Sequence, residues 1–180
     1  MPLGEDIAVK IKSFIDSLVF STAINIMISN DVKNQGKSGY VLVVHGSRNP
    51  IYRQQLEDLI DMVRECFSTI INPPPIISAY LELTEKPLHQ VILDFAHHCY
   101  SLGYKTIKIL PLFLISGTHV IHDIPEEVEM AKEKSPLPLY LMPHFGTSHQ
   151  LIDFLRQQYQ PYSPCHKIFF AHGTSLPQGN

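Results

Sequence analysis

Two histidines and one glutamate follow three different apolar runs of the sequence, and these residue types can bind a metal ion or move protons. His45, Glu82 and His119 come shortly after the runs YVLVV, IISAYL and TIKILPLFL. Two imidazoles and one carboxylate suit a borderline divalent ion such as Fe²⁺, Co²⁺, Ni²⁺ or Zn²⁺. The same groups could transfer protons, because histidine titrates near neutrality and a crowded or desolvated glutamate has a raised pKa. The residue types alone leave both roles open.

The three apolar runs are short and uninterrupted, which is typical of strands covered on both faces of a parallel sheet. Between these runs, apolar residues recur with helical spacing, which predicts helices over 51–67 and 87–102. A further helix is predicted to begin at His122 or Asp123, with Asp123 and Glu126 forming a capping box. This alternation predicts a three-layer α/β fold in which a parallel sheet of four or five strands is flanked by helices. Ligands of such sheets bind outside the carboxyl ends of the strands, so the three polar residues are expected to converge there.

Further elements are predicted on both sides of this region. An amphipathic helix is predicted over 5–28, because its apolar residues recur with helical spacing, and the polar segment 30–39 follows as a linker. A fourth strand is predicted over 137–142, near an edge of the sheet, since Pro138 cannot donate to the ladder of hydrogen bonds. A fifth strand is predicted over 167–171.

The composition excludes several classes of protein. The 180 residues include 14 Lys and Arg and have a formal net charge of −3, which argues against coating nucleic acid. The apolar stretch 18–28 is shorter than the roughly 20 residues that a bilayer needs, so no membrane span is predicted. The three cysteines lack a CxxC pair and suggest neither a disulfide framework nor a thiolate zinc site. A reducing, cytoplasmic location is therefore expected, and the N-terminus has no signal-peptide pattern.

Several single residues have both a functional and a structural interpretation. Arg48 could bind an anionic group with its planar guanidinium, or it could pair with an acidic residue of the following helix such as Glu57. His144, which follows the fourth predicted strand, is a peripheral ligand or a loop contact. The glycines form neither a dinucleotide-binding motif nor a P-loop, and no GxSxG nucleophile motif occurs. A hydrolase is therefore disfavoured.

Three segments, VLVVHGSRNP, YLELTEKPL and GYKTIKILPLFLISGTHVIHDIPEEV, occur in this order in the chain. Together they resemble the class II chelatases of the CbiX and SirB type, which insert cobalt or ferrous iron into sirohydrochlorin. The resemblance covers about 40–159 and implies that His45, Glu82 and His119 are the metal-binding and catalytic residues. It implies no permanently bound cofactor, because Co²⁺ or Fe²⁺ enters as a substrate. It does not discriminate between the two metals.

The resemblance also implies a set of residues that bind the macrocycle. Sirohydrochlorin carries many carboxylates, so Arg48 and Lys86 are expected to position it. Ser47 in the HGSR segment and Gly117 complete the predicted substrate-binding set. Small residues around His119 leave room for a ligand beside the metal site.

Members of this family form one active cleft from two repeats, by homodimerisation of short chains or by gene duplication in long ones. The C-terminal segment KIFFAHGTS resembles the first strand and HG turn of a second repeat. The resemblance therefore implies a chelatase domain at 39–160, a helical extension and linker at 1–38, and the start of an otherwise missing repeat at 161–180. The expected partner is a second copy or a chain that carries the other repeat. The alternative is a non-catalytic half-protein that binds metal or tetrapyrrole.

Overall fold

Strands and helices alternate along the chain, as the sequence predicts. The computed structural model describes residues 37–67, 73–149, 151–153 and 156. Its elements are, in order, β1 (Ser38–Val44), α1 (Pro50–Phe67), β2 (Ile76–Tyr80), α2 (Leu88–Ser101), β3 (Thr106–Pro111), α3 (Ile124–Lys132) and β4 (Leu139–Leu141). A π-helical turn, His119–Asp123, precedes α3, and a 3₁₀ turn, Phe145–Thr147, follows β4.

The four strands of the described region form one parallel sheet in the order β2-β1-β3-β4. β1 pairs with β2 on one side and with β3 on the other, and β4 pairs with β3. The predicted parallel sheet is therefore confirmed, and the carboxyl ends of its strands share one edge. β4 is a short edge strand, as Pro138 indicates.

Alternating residues of β1 pack against helices on opposite faces of the sheet. Val41 and Val43 belong to the apolar cluster that includes α2 and α3, whereas Tyr40 and Leu42 pack with α1. All four are at most 2% exposed, so β1 lies in the middle layer of a three-layer arrangement. Full burial of an aliphatic side chain stabilises the folded state by about 1.5–3 kcal/mol relative to leaving it exposed. The core therefore fixes β1 and, with it, the start of the loop that follows.

Helix α1 starts directly after that loop, 45–49. Asn49 Oδ1 accepts a hydrogen bond of 3.0 Å from the Ile51 N–H and caps the helix. Pro50 occupies the first helical position, where its missing N–H costs nothing. The loop is thus anchored by β1 at one end and by a capped helix at the other.

The third strand is shorter than the sequence predicts. The apolar pattern predicts a strand over 106–114, but β3 ends at Pro111. The Leu112 N–H still donates to Val43 O at 2.7 Å, and the chain then leaves the sheet. Leu114 and Ile115 are 66% and 40% exposed. The apolar run therefore continues past the last residue of the sheet and onto its open edge.

The capping box predicted for the third helix is wrong. The α-helix starts at Ile124, and Asp123 already has helical dihedral angles, with φ −66 and ψ −47, and makes no capping hydrogen bond with its side chain. An N-capping residue needs extended backbone so that its side chain can reach back to the first amide groups. The Asp123 carboxylate instead contacts His119.

Other predictions fall on residues that the structure does not describe. These are the helix over 5–28, the strand over 167–171 and both flanking segments of the proposed domain arrangement. Within the described ranges, no helix is long and apolar enough to cross a membrane.

Candidate metal centre

The structure brings His45, Glu82 and His119 together at the carboxyl edge of the sheet, which confirms their predicted convergence. His45 Nε2 lies 3.9 Å from Glu82 Oε2, and His119 Nδ1 lies 3.9 Å from Glu82 Oε1. One nitrogen or oxygen from each residue lies within 4.8 Å of the other two. Metal–ligand bonds of about 2.0–2.2 Å place ligand atoms roughly 3–3.5 Å apart, so small side-chain movements would bring all three onto one ion.

The three side chains remain open to solvent on one side. The side chains of His45, Glu82 and His119 are 51%, 47% and 31% exposed. The two imidazole rings meet edge to face, with centroids 4.7 Å apart and an angle of 81° between planes. A structural zinc site has four protein ligands and is closed, whereas this arrangement offers three and leaves further coordination positions free. The geometry therefore suits an ion that must enter and leave.

Backbone hydrogen bonds beyond the strand ends set the spacing of His45 and Glu82. The Leu81 N–H donates to Val44 O at 2.8 Å, and the Glu82 N–H donates to His45 O at 2.9 Å. Gly46 follows with φ 115, and a Cβ atom on it would lie 2.2 Å from Glu82 O. Only glycine adopts this conformation and allows this approach. The parallel ladder thus extends into the site, and Gly46 lets the two loops touch.

Arg53 of helix α1 joins the same two loops, and no sequence pattern marks this residue. Its Nε donates to Ser47 O at 2.9 Å, and its Nη2 donates to Leu83 O at 3.0 Å. The guanidinium also lies over the Tyr80 ring, 5.5 Å from the centroid. Leu83 has φ 56, an uncommon value for a residue with a side chain. Arg53 therefore supports a tight turn directly after Glu82.

Asp123 is the second residue of the site that the sequence analysis missed. Its Oδ2 lies 2.6 Å from His119 Nδ1. The two residues are four positions apart in the turn that leads into α3, so they face the same side of the chain. The His-x-x-x-Asp spacing is the sequence signal for this contact, but the same aspartate also fits a helix cap.

The predicted macrocycle-binding residues lie near the site in different environments. Arg48 lines a cleft of about 600 Å³ with Arg53, Leu83, Thr84, Glu85 and Lys86. Glu57, the alternative partner considered for Arg48, accepts a hydrogen bond from Ser78 Oγ at 3.0 Å. Lys86 Nζ lies 2.6 Å from Asp94 Oδ2, and this hydrogen bond lowers the pKa of Asp94.

The two small residues of the predicted substrate-binding set have distinct surroundings. Ser47 Oγ accepts a hydrogen bond of 3.1 Å from the Asn49 N–H, so it stabilises the loop before α1. A Cβ atom on Gly117 would meet nothing within 4 Å. Gly117 therefore borders open space beside His119, as expected of a residue that leaves room for a ligand.

His144 contacts a loop rather than the metal centre. Its Nε2 lies 3.4 Å from Ser116 Oγ. Burial lowers the pKa of His144 by disfavouring its charged form. It is not part of the cluster of three potential ligands found among the described residues. The loop-contact interpretation is therefore the one that fits the structure.

Large apolar side chains are exposed in the segments that follow strands β1, β2 and β3, the same segments that carry the three potential ligands. We call this set the apolar rim; it consists of Ile51, Tyr52, Leu83, Leu114 and Ile115, all of them at least 40% exposed. Exposed apolar patches of this kind mark sites that bind another molecule. The site therefore combines polar ligands at its centre with apolar groups around it.

The CbiX family model matches residues 39–162 of the chain. A protein of Priestia megaterium named sirohydrochlorin ferrochelatase is 30% identical over 63% of this chain and 40% of its own length. A protein of Methanosarcina acetivorans named sirohydrochlorin cobaltochelatase is 28% identical over 49% of this chain and 62% of its own length. The chain thus aligns with less than two thirds of the length of either relative.

A solved structure has the same fold. The CbiX protein from Marinobacter aquaeolei VT8 matches with a TM-score of 0.51 at 23% identity, covering 69% of this chain and 96% of that chain. At this identity the likeness concerns the fold alone. It confirms the predicted class, a parallel sheet flanked by helices in the arrangement of the chelatases.

Proposed function

Because the chain belongs to the CbiX family, we propose that it inserts a divalent metal ion into sirohydrochlorin. The observation that supports this proposal most directly is the open cluster of His45, Glu82 and His119 at the edge of the sheet. The names of the relatives include both a ferrochelatase and a cobaltochelatase, so the proposed metal substrates are Fe²⁺ and Co²⁺.

Metal insertion exchanges one doubly charged ion for the two N–H protons of the macrocycle. In the proposed mechanism, the imidazoles of His45 and His119 bind the incoming ion with Glu82 as third ligand, and these groups accept the released protons. Three protein ligands leave positions through which the ion passes to the pyrrole nitrogens. The exposed side of the cluster is where the macrocycle would lie.

The carboxylates of the macrocycle need cationic partners beside the metal. We assign this role to Arg48, whose guanidinium borders the cleft next to the turn after Glu82. Lys86 lines the same cleft. On substrate binding, it would release its hydrogen bond to Asp94 and donate to a carboxylate of the macrocycle instead. Ser47 and Gly117 are proposed to form the floor of the binding site near the two histidines.

A second wall is proposed to cover the open side of the cluster. The chain aligns with 40% and 62% of the two relatives, and its apolar rim is exposed. The proposed partner is a second copy of this chain or a chain that carries the other repeat. Within this chain, we propose that 1–38 is an extension and that 161–180 is the start of a second repeat. The proposed location is the cytoplasm, in keeping with the free, buried thiol of Cys99.

The second candidate is a non-catalytic half-protein that binds metal or tetrapyrrole. The exposed face of the cluster supports it, because one repeat alone forms only one side of a cleft. Stoichiometric metal binding without turnover would distinguish this candidate from the enzyme.

Turnover of sirohydrochlorin tests the proposal. The full chain is mixed anaerobically with the macrocycle and either Co²⁺ or Fe²⁺, and the absorption spectrum is followed over many turnovers beside His45→Ala and His119→Ala. We expect turnover above the rate with metal alone, and loss of that excess in both variants. His97→Ala serves as control, because His97 is an exposed histidine of α2 outside the cluster. A folded protein without turnover would contradict the enzyme and favour the binding protein.

A further inference from the structure

The contact between Asp123 and His119 has a consequence for the metal centre. Asp123 Oδ2 lies 2.6 Å from His119 Nδ1, a length typical of a strong hydrogen bond. The side chains are 40% and 31% exposed, so the bond is partly shielded from water. The π-helical turn His119–Asp123 places both residues on one side of the chain directly before α3. Such turns are rare and are often found at functional sites.

Two carboxylates compete for the same nitrogen of His119. Nδ1 lies 2.6 Å from Asp123 Oδ2 but 3.9 Å from Glu82 Oε1, which is too far for a hydrogen bond. A rotation of the ring towards Glu82 would pair the two residues with each other. That pairing would occupy the Glu82 carboxylate and turn the imidazole away from its present position. In the structure, the contact with Asp123 engages Nδ1 instead.

We infer that Asp123 is a positioning residue that keeps His119 and Glu82 available to the metal ion. The hydrogen bond fixes the rotation of the imidazole and occupies Nδ1, the nitrogen that lies 3.9 Å from Glu82 Oε1. The proposed ligand atom of His119 is therefore Nε2, which keeps its lone pair when Nδ1 carries the proton. The Glu82 carboxylate then keeps its present place, 3.9 Å from a nitrogen of each histidine, and remains available to the ion. This inference rests on the proposed function, since it takes the cluster as the place where the metal substrate binds.

A purely structural role for Asp123 fits the structure less well. Asp123 makes no capping hydrogen bond to α3. Helix α3 already has Pro125 near its start and two acidic residues, Glu126 and Glu127, in its first turn. The helix therefore does not depend on the Asp123 carboxylate for its start.

Binding of Co²⁺ alone to the full chain tests this inference without the macrocycle. The dissociation constant is measured from the visible absorption of bound Co²⁺ for wild type, Asp123→Ala, Asp123→Asn, His119→Ala and the double variant Asp123→Ala with His119→Ala. We expect Asp123→Ala to weaken binding by about 10- to 100-fold, the usual effect of removing a group that orients a metal ligand. Asp123→Asn should restore most of the affinity, because its amide oxygen still accepts from Nδ1.

The double variant separates positioning from general destabilisation. If Asp123 acts through His119, its removal has no further effect once His119 is absent, so the losses are not additive. Additive losses, or Asp123→Ala binding within about twofold of wild type, would overturn the inference. Unchanged affinity in His119→Ala would overturn the metal centre itself, and the positioning role with it.

Matched variants control for changes in the fold. Glu126→Gln removes a neighbouring exposed carboxylate, in the first turn of α3, and should leave Co²⁺ binding unchanged. If thermal unfolding indicates that Asp123→Ala does not fold, Asp123→Ser takes its place. Serine keeps a small polar side chain at this position but is too short to reach Nδ1, so the same loss of affinity is expected.

Discussion

At the scale of single residues, Gly46 decides how closely the loop after β1 approaches the loop after β2. It combines a left-handed φ of 115 with a position where a Cβ atom would lie 2.2 Å from Glu82 O. The short distance to Glu82 O restricts the residue type at position 46 more strictly than φ does, because this backbone oxygen cannot move aside without moving Glu82. The spacing of His45 and Glu82 therefore depends on the absence of a side chain between them.

Substitution Gly46→Ala is expected to weaken both the fold and metal binding. Strain at a positive φ costs about 1–3 kcal/mol in the free energy of unfolding, and the clash with Glu82 adds to it. Gly103→Ala is the matched control, because Gly103 has φ 82 but nothing lies within 4 Å of its Cβ position. Urea denaturation and Co²⁺ titration of both variants measure the two effects. Equal losses of Co²⁺ affinity in the two variants would contradict the role given to Gly46.

At the scale of elements, helix α1 supports the site through Arg53. One guanidinium holds the backbone carbonyls of Ser47 and Leu83, which belong to different loops 36 positions apart in the chain numbering. Arg64, on the same helix, binds Ile76 O at 2.8 Å at the opposite end of β2. Helix α1 thus ties β2 to the rest of the domain at both of its ends, and of these two arginines Arg53 is the one beside the three potential ligands.

The pair Arg53 and Arg64 allows a controlled test of this support. We expect Arg53→Ala to weaken Co²⁺ binding by up to about 10-fold, the low end of the effect of groups that support metal ligands. Arg64→Ala should leave Co²⁺ affinity unchanged. Each variant should lower the free energy of unfolding by roughly 0.5–1.5 kcal/mol per hydrogen bond lost. Similar Co²⁺ affinities in the two variants would show that Arg53 does not hold the site together.

At the scale of the whole molecule, the carboxyl edge of the sheet exposes both polar and apolar side chains to solvent in the described part of the chain. The three potential ligands are between 31% and 51% exposed, and the apolar rim around them is exposed as well. Burial of apolar groups favours association by about 25 cal/mol for each Å² removed from water. A second copy of the chain that faces this edge would cover the rim and close the cleft.

Association through this edge predicts that activity depends on the concentration of the chain. Turnover per chain should rise with concentration, in step with dimer formation measured by sedimentation. Leu114→Asp should shift both curves to higher concentration, because it places a charge in the rim. Met130→Asp is the control, since Met130 is 49% exposed on α3 and outside the rim. A monomer with the same turnover per chain at every concentration would contradict this prediction.

The order of the elements and the meeting of His45, Glu82 and His119 could both be predicted from the amino-acid sequence. Apolar periodicity is a local property, so it identified the strands, and the polar residue after each strand end marked His45, Glu82 and His119. The parallel arrangement then required these residues to meet at one edge, as the structure confirms.

The residues that support this site became evident from contacts in the folded chain. Gly46 and Arg53 act through contacts with backbone atoms of other loops, and such contacts leave no periodic pattern. Asp123 acts within its own turn, through a spacing that allows two different contacts. Asp123 illustrates the reason: its spacing from Glu126 fits a helix cap, and its spacing from His119 fits a hydrogen bond. Backbone dihedral angles decide between the two, and these are set by how the chain leaves β3 and enters α3.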